Sequence, residues 1–597
     1  MKRLLFFAAV IFWVLNPMFA NTQNNALDFD GVDDYVDTQY SNTLTDFTLE
    51  CWVKGDAAPT TGFAHELMFG SQEFGFNWDH DQVAYRGAAQ VLIGSTYYAA
   101  TFGTLEGSVW YHLAATFTSG ELKTYKNGVL MATTVASGSV NTSANSMTIG
   151  SYYNGDRPFA GEIDEVRLWN NVRTQAEIRA NMYQELAGSE TGLQVYYKFN
   201  ESTGTTAADS QTSGTYAGTL TNMAGTEWTP SAAFFGPVKC LSFDGISEFV
   251  DIGAGPTALK SIEFWVYPTK SFEYYIALNA SSYISSALGV LSATGFTSPT
   301  IYVDGVESST VVEDKWQHIA VTTESSINAS DFDIGRLWGS GNFQGKIDEV
   351  RIWNIARTTV QVRENMFKTL TGSETDLAAY YNFDNTDFTL ADYSPNTNDG
   401  TLTYMQTTDW VSSSAFNTWL NTNSTTWTTD ANWSQGSSPV STDNVGIYTY
   451  SGGTNATISG SPTVNHFLLG GSSSITLSSG ATVNGNLFLE SNLDLNGQNI
   501  TLGSTATLFE GSGIITGASG AISTTRNLSG ITSQNVANLG ATITTASNLG
   551  STVITRGVAF QTGNGNEGVK RYYEITPTTN NGLNATLVFN YYDNELN

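Results

Sequence analysis

Cysteine is nearly missing. The 597 residues hold two, Cys51 and Cys240, too few for a disulfide framework. Both read as small buried apolar residues. Basic residues are scarce as well: Lys plus Arg total 25 against 55 Asp plus Glu, a formal net charge of −30. A chain this acidic repels phosphate backbones, which excludes nucleic acid as a partner. Charged residues make up only 13%, about half of ordinary usage, which excludes a coiled coil. Histidine occupies five positions, and no G-x-S-x-G, H-E-x-x-H, C-x-x-C or phosphate-loop motif occurs. Beyond the N-terminus no apolar run approaches the roughly 18 residues of a membrane helix. Aromatics, by contrast, reach 12%, too many for a disordered acidic tail.

The N-terminus has the grammar of a secretory signal over residues 1–20. Lys2 and Arg3 precede an apolar run from Leu4 to Leu15, and Ala20 offers a small residue for cleavage. An uncleaved anchor is the alternative. No cysteine follows the cleavage point, which argues against a bacterial lipid anchor. The mature chain, at a net charge of −32 after loss of two basic residues, is expected to be secreted or held at the outer cell surface, with no transmembrane segment.

One module is written twice. LDFDGVDDYVD from Leu27 matches LSFDGISEFVD from Leu241, and Trp110-Tyr-His112 matches Trp316-Gln-His318. FAGEIDEVRLWNNVRTQAEIRANM from Phe159 matches FQGKIDEVRIWNIARTTVQVRENM from Phe343. The offset falls from 214 to 184, so the second copy lacks about 30 residues of the middle. Phe47–Val53, Trp110–Phe117 and Ile163–Trp169 alternate like strands, and Asn127-Gly128 and Asp304-Gly305 mark turns. Thr174 with Glu177, and Thr358 with Gln361, spell capping boxes. They predict one helix per copy, near 175–187 and 359–371, closed by Gly188 and Gly372. Short strands with one late helix predict an all-β, two-sheet antiparallel sandwich.

FDGVDDYV, WYHLAATF, YKNGV and GEIDEVRLWN together resemble laminin-G-like jelly-roll domains of the concanavalin A-like lectin/glucanase group. The likeness covers about 26–200 and 240–384. It divides the chain into jelly rolls at 21–235 and 236–416. In the second copy the IYVDGV turn precedes the WQHIAVTT strand instead of following it, which puts its middle strands in doubt. The resemblance implies a structural Ca²⁺ where the first strand lies near the last. The implied ligands are Asp30, Asp33, Asp34 and Asp164 in copy one and Asp244, Glu248 and Asp348 in copy two. Solvated acidic turns with buried Asp–Arg pairing are the other reading.

The fold group also includes glucanases, which need paired carboxylates on one strand face. Glu162-Ile-Asp164-Glu165-Val166-Arg167 supplies two acids of that set and lacks the third, and copy two begins with Lys346. No catalysis is expected. His112 and His318 read as structural, while His65 and His80 lie in a segment specific to copy one, where Glu66, Asp79, His80 and Asp81 form a weak metal or substrate candidate. For a sugar ligand, aromatics of the variable middle are the candidates: Trp78, Tyr85, Tyr97, Tyr98, Tyr152 and Tyr153, and in copy two Tyr274, Tyr275, Tyr283 and Trp338. Of these, Trp78, Tyr85, Tyr152, Tyr153 and Trp338 are taken as the ligand-binding set.

After Phe416 the composition shifts. Ala431–Asn566 holds six charged residues in 136. Triplets such as Ile475–Leu477, Leu487–Leu489 and Ile500–Leu502 recur between small polar turns, which predicts a β-solenoid-like region over 417–566. Its WTTDANWSQGSSPVSTDNVGIY entry resembles β-solenoid regions of surface proteins of Bacteroidetes-type bacteria; a polar linker is the alternative. Residues 567–597 read as strand, turn and strand, the start of a further β-rich domain that continues beyond the sequence. The expected function is a secreted or cell-surface binding and adhesion protein that recognises glycan or an extracellular protein. A non-catalytic accessory part of a polysaccharide-degrading enzyme and a purely structural adhesin are the competing readings.

Overall fold

The computed structural model describes residues 25–591 apart from 57–65, 79–85, 143–144, 153–154, 184, 232, 234–238, 385–387, 420–426, 450–456, 472–473, 560–561, 564–565 and 568–569. The signal-like segment, Tyr85, Tyr153, His65 and His80 lie outside the described residues. Two β-sandwiches are followed by a parallel β-solenoid.

The first sandwich pairs a sheet ordered Val129–Ala136, Gly120–Lys126, Tyr111–Thr118, Phe47–Gly55, Ala160–Trp169, Asn25–Asp30, Trp228–Pro230 with a second sheet running from Thr206–Ala207 to Thr96–Thr104. Leu49, Val53, Ile163, Val166 and Leu168 from one sheet meet Phe69, Phe76, Val91 and Phe102 from the other in a sealed core. The strand Ala160–Trp169 carries a bulge between Asp164 and Arg167, with Glu165 at φ 52°. The extra residue turns Asp164, Glu165 and Arg167 away from that core. Glu349, at φ 53°, repeats the bulge in the second sandwich.

The helices are shorter than the spacing predicts. Helix α1 spans Gln175–Met182 and helix α2 Thr359–Met366, each opened by its capping box. The helix ends are taken by side chains of the sheet below. Trp52 Nε1 donates to the Met182 carbonyl at 2.8 Å and Arg167 Nη1 to that of Asn181 at 2.9 Å. Trp265 and Arg351 do the same to Met366 and Asn365, at 2.8 and 2.6 Å. Carbonyls satisfied this way need no glycine cap, and Leu186 and Leu370 fall beyond the helices. Gly188 and Gly372 instead sit at φ 83° and 85° in later turns.

The doubt over the second copy resolves in an unexpected way. Thr300–Val303 precedes Gln317–Ile327 in the chain, yet pairs with it where Gly120–Lys126 pairs with Tyr111–Thr118. Tyr302 packs with Ala320 and Val362 as Tyr125 packs with Ala114 and Ile178. Sheet position is kept while chain order is permuted.

Each sandwich presents its helix face to the next unit. Arg179 of α1 donates to Asp399 at 2.7 and 2.9 Å and to the Asp392 carbonyl at 2.7 Å. The equivalent Arg363 of α2 lies over Phe488 and Phe509 of the solenoid, 5.2 and 4.6 Å from the ring centroids. The solenoid makes about three turns near 445–524, three parallel strands per turn, with Leu469, Leu477, Leu489 and Leu502 inside. Tyr572–Pro577 and Thr586–Phe589 do not form the expected pair; each pairs with the long strand Ala541–Gly557.

Candidate ligand faces and acidic loops

One sheet of each sandwich is covered by the helix. Its outer side holds a buried charge network beneath the helix. In the first sandwich Glu50, His112, Glu165, Arg167 and Arg173 are all buried. Arg167 Nη2 meets Glu165 at 2.5 Å, Tyr196 Oη donates to Glu165 at 2.6 Å, and His112 Nε2 stands 3.4 Å from Glu50. Glu263, His318, Glu349, Arg351 and Arg357 repeat the network. Burial, with Arg351 next, pushes the His318 imidazole down to about 3; burial likewise lowers His112. Both histidines are buried within the network.

Among the described residues no helix covers the outer face of the other sheet, although in the first sandwich Asn77 and Gln90 on that face are buried. In the first sandwich alternation points Phe74, Phe76 and Trp78 inward and Asn77 outward. Trp78 is only 2% exposed and packs edge-on against Phe159 at 5.6 Å; it is core, and its assignment to ligand is corrected. On the outer face Asn77 and Gln90 hydrogen-bond Tyr152, whose phenol burial pushes up. The Arg157 guanidinium lies 5.7 Å from the Tyr152 ring, and Tyr97 stands half-exposed on the neighbouring strand. Amides beside tyrosines supply hydroxyl partners and flat apolar faces together. Sequence reasoning passed over Asn77 and Gln90, although both occupy outward positions of alternating strands.

In the second sandwich the open sheet presents Tyr274 and Tyr283, edge-on at 6.0 Å. Asp333 accepts from Arg336 Nε and Nη2 at 2.9 and 2.8 Å, and the guanidinium lies 3.3 Å from the Phe249 ring centroid. Burial, opposed by Arg336, pushes the Asp333 carboxyl up to about 6. Trp338 projects from the hairpin Arg336–Leu337/Gly341–Asn342 and is 75% exposed. This hairpin and the Tyr152 loop fill the same link of the repeat, between the last strand of the open sheet and the IDEVR strand.

The acidic loops sit beside these links. Asp30, Asp33 and Asp34 bring carboxylate oxygens within 4.8 Å of one another. Gly31 holds φ 73°, and a Cβ there would lie 2.7 Å from that of Ala160. Burial, partly offset by the Asp30 amide, pushes the Asp34 carboxyl up to about 6. Three clustered carboxylates on a tight turn fit the donor chemistry of a hard cation. The second loop differs. Asp244 Oδ1 accepts from the amides of Ile246 and Ser247 at 2.7 and 3.1 Å. Burial opposes its ionisation, but those amides win and hold the carboxyl low. Burial pushes Glu248 up to about 7.

Asp164 and Asp348 do not join their loops. Asp30 pairs with Ala160 and Asp244 with Gln344, four strand residues away from each aspartate. Asp164 is instead buried, accepting from Ser231 Oγ at 2.6 Å and the Glu165 amide at 2.7 Å.

Residues 30–179 match the Laminin_G_3 family of the concanavalin A-like lectin/glucanases superfamily. Among solved structures, a candidate carbohydrate-binding protein of Bacteroides ovatus is similar at 22% identity over 34% of this chain, with a TM-score of 0.29. The match spans 59% of that protein's own length. Domain 4 of AbnA, an extracellular GH43 arabinanase of Geobacillus stearothermophilus solved with arabinotriose, is 24% identical over 26% of this chain and 74% of its own, with a TM-score of 0.21. A pentraxin of Limulus polyphemus is 14% identical over 26% and 81%, with a TM-score of 0.22. No curated protein matches the chain.

Proposed function

We propose that this chain is an extracellular glycan-binding protein, secreted or held at the cell surface, without catalysis of its own. The observation that carries the reading is the aromatic side chains on the sheet faces away from the helices: half-exposed Tyr97 beside Tyr152 in the first sandwich, and Tyr274, Tyr283 and the exposed Trp338 in the second. Non-catalysis has its own support. Glu162 is paired with Lys54 at 2.5 Å, and Asp164 and Glu165 are buried on the covered sheet, where no sugar reaches them. In the same reading Ca²⁺ binds at Asp30, Asp33 and Asp34 and braces the loop beside the Tyr152 link.

The test is a glycan array on the secreted chain followed by calorimetric titration of the best hit. Tyr97→Ala and Trp338→Ala should each weaken binding about ten-fold or more, as loss of a stacking face does. Unchanged affinity in both variants would move the site elsewhere, and release of reducing ends from the bound glycan would replace the binding class by an enzyme.

A further inference from the structure

The sheet away from the helix has eight strands in the first sandwich and seven in the second. Aligned along their lengths, the two sheets leave one strand without a counterpart, Thr96–Thr104. In the first sandwich it pairs along the whole of Arg86–Ile93, from Arg86 with Thr104 to Ile93 with Thr96. Two of its carbonyls also accept from side chains of the other sheet. Thr134 Oγ1 donates to the Ala99 carbonyl at 2.8 Å and Thr124 Oγ1 to that of Thr101 at 2.7 Å. These bonds close the seam between the sheets, with Phe102 and Leu105 fully buried along it.

In the second sandwich Val290–Thr294 is left at the edge. The chain turns from it to Thr300–Val303 and returns only at Ser309–Val311. There the Leu291 amide donates to the Ser309 carbonyl at 2.7 Å and the Val311 amide to that of Gly289 at 2.9 Å, with a single bridge between Val290 and Thr310. Asp314 then donates to the Pro268 carbonyl as Ser108 does to that of Gly55, at 2.8 and 2.6 Å. Thr310 and Val311 thus hold the place of Thr104 and Leu105. Among the described residues nothing pairs with the outer edge of Ser292–Thr294. Amide directions alternate along a strand, so the Ala293 N–H faces outward as that of Leu291 does.

The margin of the core is uncovered here. Ala293 and Ile301 are only partly buried against it. At the near end Leu288 is 77% exposed, and Val290 and Val312 are about half exposed. Leu288 and Val312 line a cavity of about 350 Å³. Free strand edges are ordinarily protected by charge, proline or a bulge. This one reads VLSAT and pairs with Ser282–Ala287 in unbroken register, so it has none of the three. Charge lies around the edge instead. Glu307 precedes the returning segment, Glu313 lines the cavity, and the Glu324 amide donates to the Thr297 carbonyl just past the edge. With Asp314 these exposed acids outnumber the neighbouring Lys270 and Lys315.

We propose that this edge binds an extended segment of a partner protein, added antiparallel to Val290–Thr294 where the first sandwich has its own strand. The segment that fits has small or apolar residues at alternate positions, to cover Ala293 and Ile301, and basic residues at its ends, to meet the acids. Main-chain bonds to Ala293 supply the pairing, and the cavity beside Leu288 and Val312 receives a side chain. A second copy of this chain is the poorer occupant, because it brings the same acids against these. The proposal uses the edge of the sheet and not its faces, so it stands whether or not those faces bind glycan.

The experiment titrates the full chain into a labelled synthetic peptide and reads fluorescence anisotropy. The peptide carries the Thr96–Thr104 sequence, TYYAATFGT, with two lysines added at each end. A twin with glutamates at the ends should bind about ten-fold more weakly at low salt, and added salt should narrow the gap. Ala293→Pro should abolish binding while keeping the Tm, since it removes an outward amide hydrogen that no described residue accepts. Leu288→Asn keeps the left-handed turn, where Leu288 sits at φ 53°, and should weaken binding about three-fold or more. Equal affinity of wild type and Ala293→Pro, or equal binding of a scrambled lysine-ended peptide, would overturn the proposal. Self-association of the chain that Ala293→Pro abolished would overturn it as well, by giving the edge to a second copy.

Discussion

The two sandwiches hold their helices by the same means and differ in what they show to solvent. Trp52 and Arg167 in one, Trp265 and Arg351 in the other, draw the helix C-terminus onto the covered sheet with matching hydrogen bonds. The strand beneath α2 precedes its partner strand in the chain instead of following it, yet Tyr302 occupies the environment of Tyr125. Packing position is therefore under tighter constraint than chain order. The open faces have diverged: Tyr152 with Asn77 and Gln90 on one, Arg336 with Asp333 and an exposed Trp338 on the other. The difference teaches that the duplicated part is the scaffold and that variation was concentrated on the side its helix leaves uncovered.

The severest test of this equivalence is the buried arginine. Arg167→Met and Arg351→Met each strand a buried glutamate and should cost about 3–5 kcal/mol in denaturant unfolding. A large loss in one sandwich with little in the other would break the comparison. Acid comes next. His318 has its folded pKa at about 3 against 6.5 in the open chain. A depressed pKa means that its stabilising contribution is present above pH 6.5 and is lost as pH falls toward 3. The stability difference between wild type and His318→Phe should therefore shrink by about 1.4 kcal/mol per pH unit below 6.5. A difference flat between pH 7 and 4.5 would show that this histidine is protonated in the fold.

The joints rank below these. Arg179→Ala removes a bidentate pair to Asp399 and should lower the unfolding free energy by about 2–3 kcal/mol. Arg363→Ala removes ring contacts and one hydrogen bond to the Gly305 carbonyl, with no carboxylate partner, and should cost about 1–2 kcal/mol. Calorimetry that ranked Arg363→Ala above Arg179→Ala would mean the solenoid joint is the stronger of the two. The smallest effect is at the caps: Thr174→Ala and Thr358→Ala should each cost about 1 kcal/mol, and they sharpen the comparison only if the two losses agree.

Much of the scaffold is legible in the residues. Each capping box opens a helix, and Asn127-Gly128 and Asp304-Gly305 each make a turn. The helix ends are not legible, because a tryptophan and an arginine over a hundred and about fourteen residues away in the chain take the last carbonyls. Trp78 illustrates the same limit. An aromatic in a variable segment reads as surface, and only the pairing of Phe74–Trp78 with its neighbours shows which side it faces.

The sequence by itself determined the all-β class, the duplication, the one helix per copy and the solenoid, because periodicity, capping and turn chemistry are local and survive in any context. Tertiary structure alone decided which sheet of each sandwich the helix covers, that Asp164 and Asp348 turn away from the acidic loops, and that Asp348 and Asp384 line one small cavity with Ser434 of the third region. These facts depend on strand register, on a bulge that adds one residue, and on which unit lies against which face. They bring together residues dozens to hundreds of positions apart, and no local pattern in the chain encodes that distance.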